Sequence, residues 1–171
     1  MTQMSPGKTR KLAFLGLFVT LSMMLSYLES LIPVYLGAPG IKPGLANLFI
    51  LLLLMDKRPK EAVTVNLLRI VLSGFLFGNL FSVVYSMAGA LLSMVVMYAM
   101  LFAGRFHSLT ASIAGGIAHN LAQLAVAVLV LDTDAMIYYL PALVLAGAAA
   151  GVLNGLLAGI LKPYLRRLRG E

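Results

Sequence analysis

Long runs of apolar residues, separated by short polar or glycine- and proline-rich segments, make up most of this chain. A membrane-spanning helix needs about 20 mostly apolar residues, and six runs reach or approach that length. They cover approximately residues 12–31, 43–55, 61–77, 80–103, 109–131 and 137–161. The pattern predicts an all-α polytopic membrane protein: one transmembrane domain over residues 1–171, built as a six-helix bundle with a basic tail at 162–171.

The second run differs from the others in length. Its apolar core, Leu45 to Met55, would rise only about 17 Å as a helix. The segment before it, residues 32–44, holds three prolines and three glycines, which predicts a shaped loop. The second helix could start at Pro43 as its first helical position, lie tilted within the bundle, or be partly re-entrant. The sequence leaves these alternatives open.

The composition excludes two broad classes of protein. Hydrophobic residues make up 61% of the chain and charged residues 11%, with a mean hydropathy of +0.97. Soluble domains carry about 25% charged residues, and disordered chains are low in hydrophobicity. Cysteine is absent, which excludes disulfides, thiolate catalysis, iron–sulfur clusters and cysteine zinc sites.

The net charge of +7 is concentrated between the apolar runs. With a cytoplasmic N-terminus and six crossings, all Lys and Arg residues except Lys42 and Arg69 fall on the cytoplasmic side. These residues are Lys8, Arg10, Lys11, Lys57, Arg58, Lys60, Arg105, Lys162, Arg166, Arg167 and Arg169. Such a bias predicts that both termini are cytoplasmic and that the protein lies in a bacterial cytoplasmic membrane. Basic residues are not interleaved with aromatic ones, so no nucleic-acid partner is expected.

Polar side chains inside the apolar runs mark candidate sites, because they are costly in a bilayer. Arg69 lies about 12 Å into the third run, and Asn66 shares its helical face. Arg69 either pairs with Glu29 inside the bundle or faces an anionic ligand. With Lys42 in the preceding loop, it favours a ligand that carries a negative group.

The fifth run offers a second polar face. His119 and Gln123 are one turn apart, with Asn120 beside them. These residues either join helices by hydrogen bonds or bind a ligand. No metal is expected, because no second histidine and no carboxylate stand at ligand spacing. The full candidate set for substrate binding is Glu29, Lys42, Asn47, Asn66, Arg69, Asn79, Tyr85, His119, Asn120 and Gln123.

Glycine recurs every fourth residue in the sixth run, at Gly147, Gly151, Gly155 and Gly159. Small residues at this spacing let two helices approach closely. The stripe therefore predicts helix packing, against either another helix of this chain or a partner protein.

Known catalytic patterns are absent. The chain has no Walker A, GxSxG or HExxH motif. It also lacks an acidic cluster of the DDxxD type that would hold Mg²⁺ against a diphosphate; the nearest approach is the DTD segment at 132–134. We therefore expect a protein that is not an enzyme and has no cofactor.

Four segments carry a resemblance to a known family: GAPGIKPGLANLFIL (37–51), NLLRIVLSG (66–74), SMAGALLSM (86–94) and GGIAHNLAQL (115–124). They resemble the Gx transporter family, whose members are often labelled heptaprenyl diphosphate synthase component I. That family is in turn similar to the S components of energy-coupling factor (ECF) transporters.

The resemblance implies a membrane subunit that binds a vitamin, cofactor or precursor near the outer face, under the loop between the first two helices. Its expected partners are a transmembrane coupling subunit and two separate ATPases. S components commonly dock through AxxxA on the first helix, whereas this chain has Ala13 and Leu17, and Gly16 and Thr20 are its nearest small pair. The label gives an alternative, an accessory membrane subunit of heptaprenyl diphosphate or isoprenoid quinone synthesis. A scaffold without a small ligand and a stand-alone transporter are further alternatives.

Overall fold

The computed structural model describes residues 6–31, 44–132 and 134–169. Within these ranges every regular element is helical, which confirms the all-α prediction. The helices are α1 (Pro6–Leu31), α2 (Asn47–Met55), α3 (Pro59–Phe77), α4 (Leu80–Phe102), α5 (Ser108–Leu131) and α6 (Leu140–Arg169), and a 3₁₀ turn at Asp134–Tyr139 precedes α6.

Four helical stretches are long and apolar enough to cross a bilayer: Thr9–Leu31, Leu80–Phe102, Ser108–Val130 and Ala135–Arg167. Large apolar side chains cover their outward faces, with Leu80, Phe102 and Leu129 among the most exposed. Such a surface suits hydrocarbon rather than water. The protein is therefore a helical membrane protein.

The remaining two helices differ from these four. Helix α3 begins with Lys60 and Glu61 and carries Arg69, so its run of uncharged residues is short. Helix α2 has nine residues and rises about 13 Å, less than half of a hydrocarbon core of about 30 Å. It begins at Asn47; the possible start at Pro43 lies outside the described residues.

Helices that follow one another in the chain run antiparallel. Helices α1 and α3 pack against each other in parallel, because Lys11 forms a 3.0 Å ion pair with Glu61 near their starts and the rings of Tyr27 and Phe77 lie 5.4 Å apart near their ends. One end of the bundle, here called the basic end, thus holds the starts of α1, α3 and α5 and the ends of α2, α4 and α6. The other is called the opposite end.

Helix α2 lies in the centre of the bundle and contacts all five other α-helices. It is apolar on every side, which is typical of a wholly buried helix, and its Leu51 and Leu53 are 0% exposed. Phe18, Val65 and Met97 of the surrounding helices pack on it. Because α2 ends next to the start of α3, this core fills the half of the bundle nearer the basic end.

Candidate functional site

A polar cavity of about 60 Å³ lies beyond the start of α2, toward the opposite end of the bundle. Helices α1 to α5 all contribute to its lining. Five residues singled out from the sequence meet here: Glu29, Asn47, Arg69, His119 and Gln123. They come from four helices and from positions up to 94 residues apart in the chain.

The Arg69 guanidinium is held from two sides. Its Nη2 donates to Asn66 Oδ1 at 2.7 Å, and its Nη1 donates to Ser26 Oγ of α1 at 3.3 Å. Asn66 in turn donates to the Ala90 carbonyl of α4 at 3.4 Å. Arg69 is only 7% exposed, yet its Nε has no hydrogen-bond partner among the described residues. A buried cation with an unused donor therefore lines the cavity.

Polar contacts from two neighbouring helices fix the start of α2. The Gly44 carbonyl accepts hydrogen bonds from the backbone N–H of Asn47 at 3.0 Å and from Asn154 Nδ2 of α6 at 2.8 Å. The Leu45 N–H donates to the Glu29 carboxylate of α1. Gly44 has a φ of +69°, a left-handed conformation that glycine adopts without steric strain. The partial positive charge at this helix start therefore faces the cavity and the Glu29 carboxylate.

His119 and Gln123 form the α5 wall. Asn47 Nδ2 lies 3.4 Å from His119 Nδ1, so the two side chains are within hydrogen-bonding distance. The Gln123 side chain is 2% exposed, and its Oε1 has no partner in the part of the chain that the structure describes. Unpaired buried polar atoms are costly, and both Gln123 Oε1 and Arg69 Nε belong to residues that line the cavity.

A second cavity of about 10 Å³ adjoins the first on the side nearer α6. The two share Gly44, Asn47 and His119. Asn120 lines only the second cavity, and its Nδ2 donates to the Leu143 carbonyl of α6 at 2.8 Å. This volume suits about one water molecule. Asn120 therefore joins α5 to α6 and lies outside the first cavity.

Three other predicted binding residues line neither cavity, and a fourth is not described. Asn66 lies behind Arg69 and positions it. Asn79 caps α4, since its Oδ1 accepts from the Ser82 amide at 2.8 Å. Tyr85 stacks on Phe81 with ring centroids 5.7 Å apart. Lys42 lies outside the described residues.

Four serines also line the first cavity, and none of them is in the candidate set for substrate binding. They are Ser26, Ser73, Ser82 and Ser86. A signal was present for two of them, because Ser26 is three residues before Glu29 and Ser73 is four residues after Arg69, and both spacings keep residues on one helical face. Ser26 therefore continues the polar face of α1 that contains Glu29, and Ser73 continues the polar face of α3 that contains Arg69.

The glycine stripe of α6 packs mostly within the chain. A Cβ placed on Gly147 would lie 2.6 Å from the Gly116 carbonyl oxygen of α5. A Cβ placed on Gly151 would lie 2.5 Å from Ile113 Cα of the same helix. Ser112 Oγ also donates to the Gly151 carbonyl at 2.7 Å. Gly155 faces α5 as well, whereas Gly159 has no heavy atom within 4 Å of such a Cβ.

Apolar helices of membrane-spanning length surround the first cavity, so the chain is a helical membrane protein with polar side chains gathered in its interior. A family model described as heptaprenyl diphosphate synthase component I matches residues 18–161. The chain belongs to that family, which confirms the family label expected from the sequence. Comparisons with curated proteins and with solved structures give no match. The likeness to ECF S components stays a prediction.

Proposed function

We propose that this protein is the substrate-binding membrane subunit of an uptake transporter for a vitamin, cofactor or precursor. The observation that carries the proposal is the meeting of Arg69, His119 and Gln123 around one cavity deep among apolar helices. Ionisable and amide groups are expensive in a membrane interior and usually serve an ion or substrate. Helices that only face lipid have no use for a buried cluster of polar side chains. Polar residues that only join helices would not be expected to leave a cavity between them.

The proposed topology has six passes, with the basic end in the cytoplasm of a bacterial cell. The positive-inside rule supports it, because Lys11, Arg58 and Arg105 all lie at that end. Helix α2 contributes a half-length pass. In this orientation the cavity lies in the outer half of the membrane, and the apolar α2 core separates it from the cytoplasm. Short buried helices of this kind border substrate sites in transporters.

The energy for uptake would come from other chains. The sequence lacks a Walker A motif, so we assign ATP hydrolysis to separate ATPase subunits and a transmembrane coupling subunit. We also propose that the chain is not itself catalytic, because it carries no DDxxD cluster to hold a metal diphosphate.

The family description supports a second candidate. It names a component of heptaprenyl diphosphate synthase, which implies partner subunits in prenyl diphosphate synthesis. In that role the chain would be a membrane accessory subunit, and a soluble prenyltransferase would be the catalytic partner. Affinity purification from native membranes separates the two: recovery of ATPase and coupling subunits favours transport, whereas recovery of a prenyltransferase favours synthesis.

The proposed binding site is tested by the small molecules that the purified protein retains. We compare the wild type with Arg69→Gln, which removes the cavity's cation, and with Arg105→Gln, which removes an exposed cation at the basic end. Mass spectrometry of the solvent-extracted protein should detect a metabolite in the wild type and in Arg105→Gln. Arg69→Gln should retain at least tenfold less, since losing a charged hydrogen bond costs about 1.5–3 kcal/mol. Equal retention by all three would contradict the assignment.

A further inference from the structure

The Glu29 carboxylate occupies the start of α2. Glu29 lies two residues before the end of α1, is 5% exposed, and accepts a hydrogen bond from the Leu45 N–H. A carboxylate is disfavoured at the end of its own helix and favoured at the start of another. Glu29 therefore holds the position that an external anion would take at this buried helix start.

The helix start is accompanied by an unused donor. Arg69 lines the same cavity, is 7% exposed, and has no partner at Nε among the described residues. Its other two nitrogens already donate to Asn66 and Ser26. An oxyanion bound between Arg69 and the start of α2 would receive N–H donors from both sides once the guanidinium turns its Nε, which protein atoms cover in this structure, toward the cavity.

Within the described lining of the cavity, the formal charges balance before any ligand binds. Arg69 and Glu29 are the two residues of opposite formal charge in the described lining. An anionic ligand would place a second negative charge beside Glu29. Like charges repel strongly in a low-dielectric interior. An anion therefore binds well only when the Glu29 carboxylate leaves.

We propose that the ligand carries an oxyanion group, a carboxylate or a phosphate, and that Glu29 is its internal competitor. The oxyanion replaces the Glu29 carboxylate at the Leu45 N–H and pairs with Arg69, while Glu29 turns toward the opposite end of the bundle. A volume of about 60 Å³ admits a group of that size. This inference rests on the proposed function for the use of the cavity as a ligand site.

The test measures anion binding to the full chain in phosphatidylcholine nanodiscs, with acetate and inorganic phosphate as probes and chloride as the ionic-strength control. Glu29→Gln removes the competing charge and keeps the side chain's size. It should bind acetate or phosphate roughly tenfold or more tightly than the wild type. The matched control is Glu61→Gln, because Glu61 pairs with Lys11 at the basic end; its affinity should equal that of the wild type. The tighter probe identifies the ligand's group as a carboxylate or a phosphate.

Two results would overturn the proposal. One is an affinity of Glu29→Gln no higher than that of the wild type. The other is an equally tight anion complex in the double variant Glu29→Gln/Arg69→Gln, which would place the anion elsewhere.

A measurement on the wild type covers the case in which Glu29→Gln does not fold. The chain has three glutamates, Glu29, Glu61 and Glu171, so selective ¹³Cδ labelling gives three carboxylate signals. Glu61→Gln and Glu171→Gln identify the Glu29 signal by elimination. Saturating acetate or phosphate should shift this signal and leave that of Glu61 unchanged. An unmoved Glu29 signal with bound anion would overturn the proposal.

The outcomes also separate this inference from the proposed function. A retained metabolite without an anionic group, together with no affinity gain in Glu29→Gln, would remove Glu29 as a competitor and leave the transporter proposal intact. Tight acetate or phosphate binding by Glu29→Gln, with no metabolite retained by the wild type, would support the anion site and contradict the transporter proposal.

Discussion

Asn66 fixes where the Arg69 guanidinium points. It is 0% exposed, and its two side-chain atoms connect Arg69 to the Ala90 carbonyl. Through this one amide, α3 positions the cavity's cation and is joined to α4. Hydrogen bonds to a charged group are among the stronger ones in proteins, so Asn66 contributes to both the stability and the geometry of the site.

Asn66→Leu tests this role, because leucine is of similar size and has no polar atoms. The variant leaves a buried carbonyl and a guanidinium nitrogen without their partner, which should lower the free energy of unfolding by about 1–3 kcal/mol. Denaturant titration in detergent micelles measures the change. The control is Thr64→Val on the same helix, whose exposed hydroxyl bonds only to the Lys60 carbonyl and whose effect should stay within about 0.5 kcal/mol. Equal stability of the two variants would show that Asn66 does not hold Arg69.

For individual residues, the sequence predicted which charged and amide side chains are buried more reliably than it predicted what each of them contacts. Arg69, His119 and Gln123 stood out because polar groups are rare in apolar runs. Asn79 and Asn120 stood out for the same reason, yet one caps a helix and the other bonds to α6. Asparagine serves caps, helix contacts and ligand sites with the same two atoms, so only its neighbours in space distinguish them. The bond from Asn154 to Gly44 spans 110 positions, and no local pattern could predict it.

Among the elements, α5 and α6 form the closest helix pair of the described chain. Three glycines of α6, Gly147, Gly151 and Gly155, lie against α5, and this contact is here called the seam. Ser112 of α5 adds a hydrogen bond across it. In lipid the hydrophobic effect does not drive two helices together. The close approach of two backbones stabilises the pair through van der Waals contacts instead. The seam supports the α5 wall of the cavity from behind.

Alanine substitutions at two glycines of the stripe test the seam. Gly151→Ala places a methyl group 2.5 Å from Ile113 Cα, whereas Gly159→Ala meets no atom within 4 Å. Both changes gain the same helix propensity, so their difference isolates the packing. We expect Gly151→Ala to be less stable than Gly159→Ala by about 1–3 kcal/mol, the usual cost of overpacking, in the same denaturant titration. Indistinguishable stabilities would mean that the seam is loose or that α6 packs elsewhere.

The described helices overlie the apolar runs, but α1 begins six residues before its run, α6 ends eight residues after its run, and α2 begins only at Asn47. A continuous apolar stretch is the same signal for a helix that faces lipid and for one buried among other helices. The surrounding helices make the difference: α1, α3, α4, α5 and α6 all contact α2, and its leucines are buried on every side. Its short length was visible in the sequence, whereas its place at the centre of the bundle was not.

Over the whole of the described bundle, the two halves along its axis differ in the polarity of their interiors. The half nearer the basic end holds the apolar core around α2, and the half nearer the opposite end holds the polar cavity. The charged turns at the basic end set the proposed orientation. In the proposed orientation, the apolar core would separate the cavity from the cytoplasm, and the cavity would lie on the outer side, as the proposed uptake requires.

The most direct test of this account is the side from which the cavity can be reached. The chain has no cysteine, so single cysteines report accessibility to a small, membrane-impermeant methanethiosulfonate reagent. Ser86→Cys lies in the cavity lining, Arg105→Cys at the basic end, and Val95→Cys on the lipid-facing surface of α4, where Val95 is 58% exposed.

In right-side-out vesicles Ser86→Cys should react and Arg105→Cys should not, and inside-out vesicles should reverse this result. Val95→Cys should react in neither preparation, because the charged reagent does not enter lipid. Reaction of Ser86→Cys only in inside-out vesicles, or in neither preparation, would contradict an outward-facing substrate cavity.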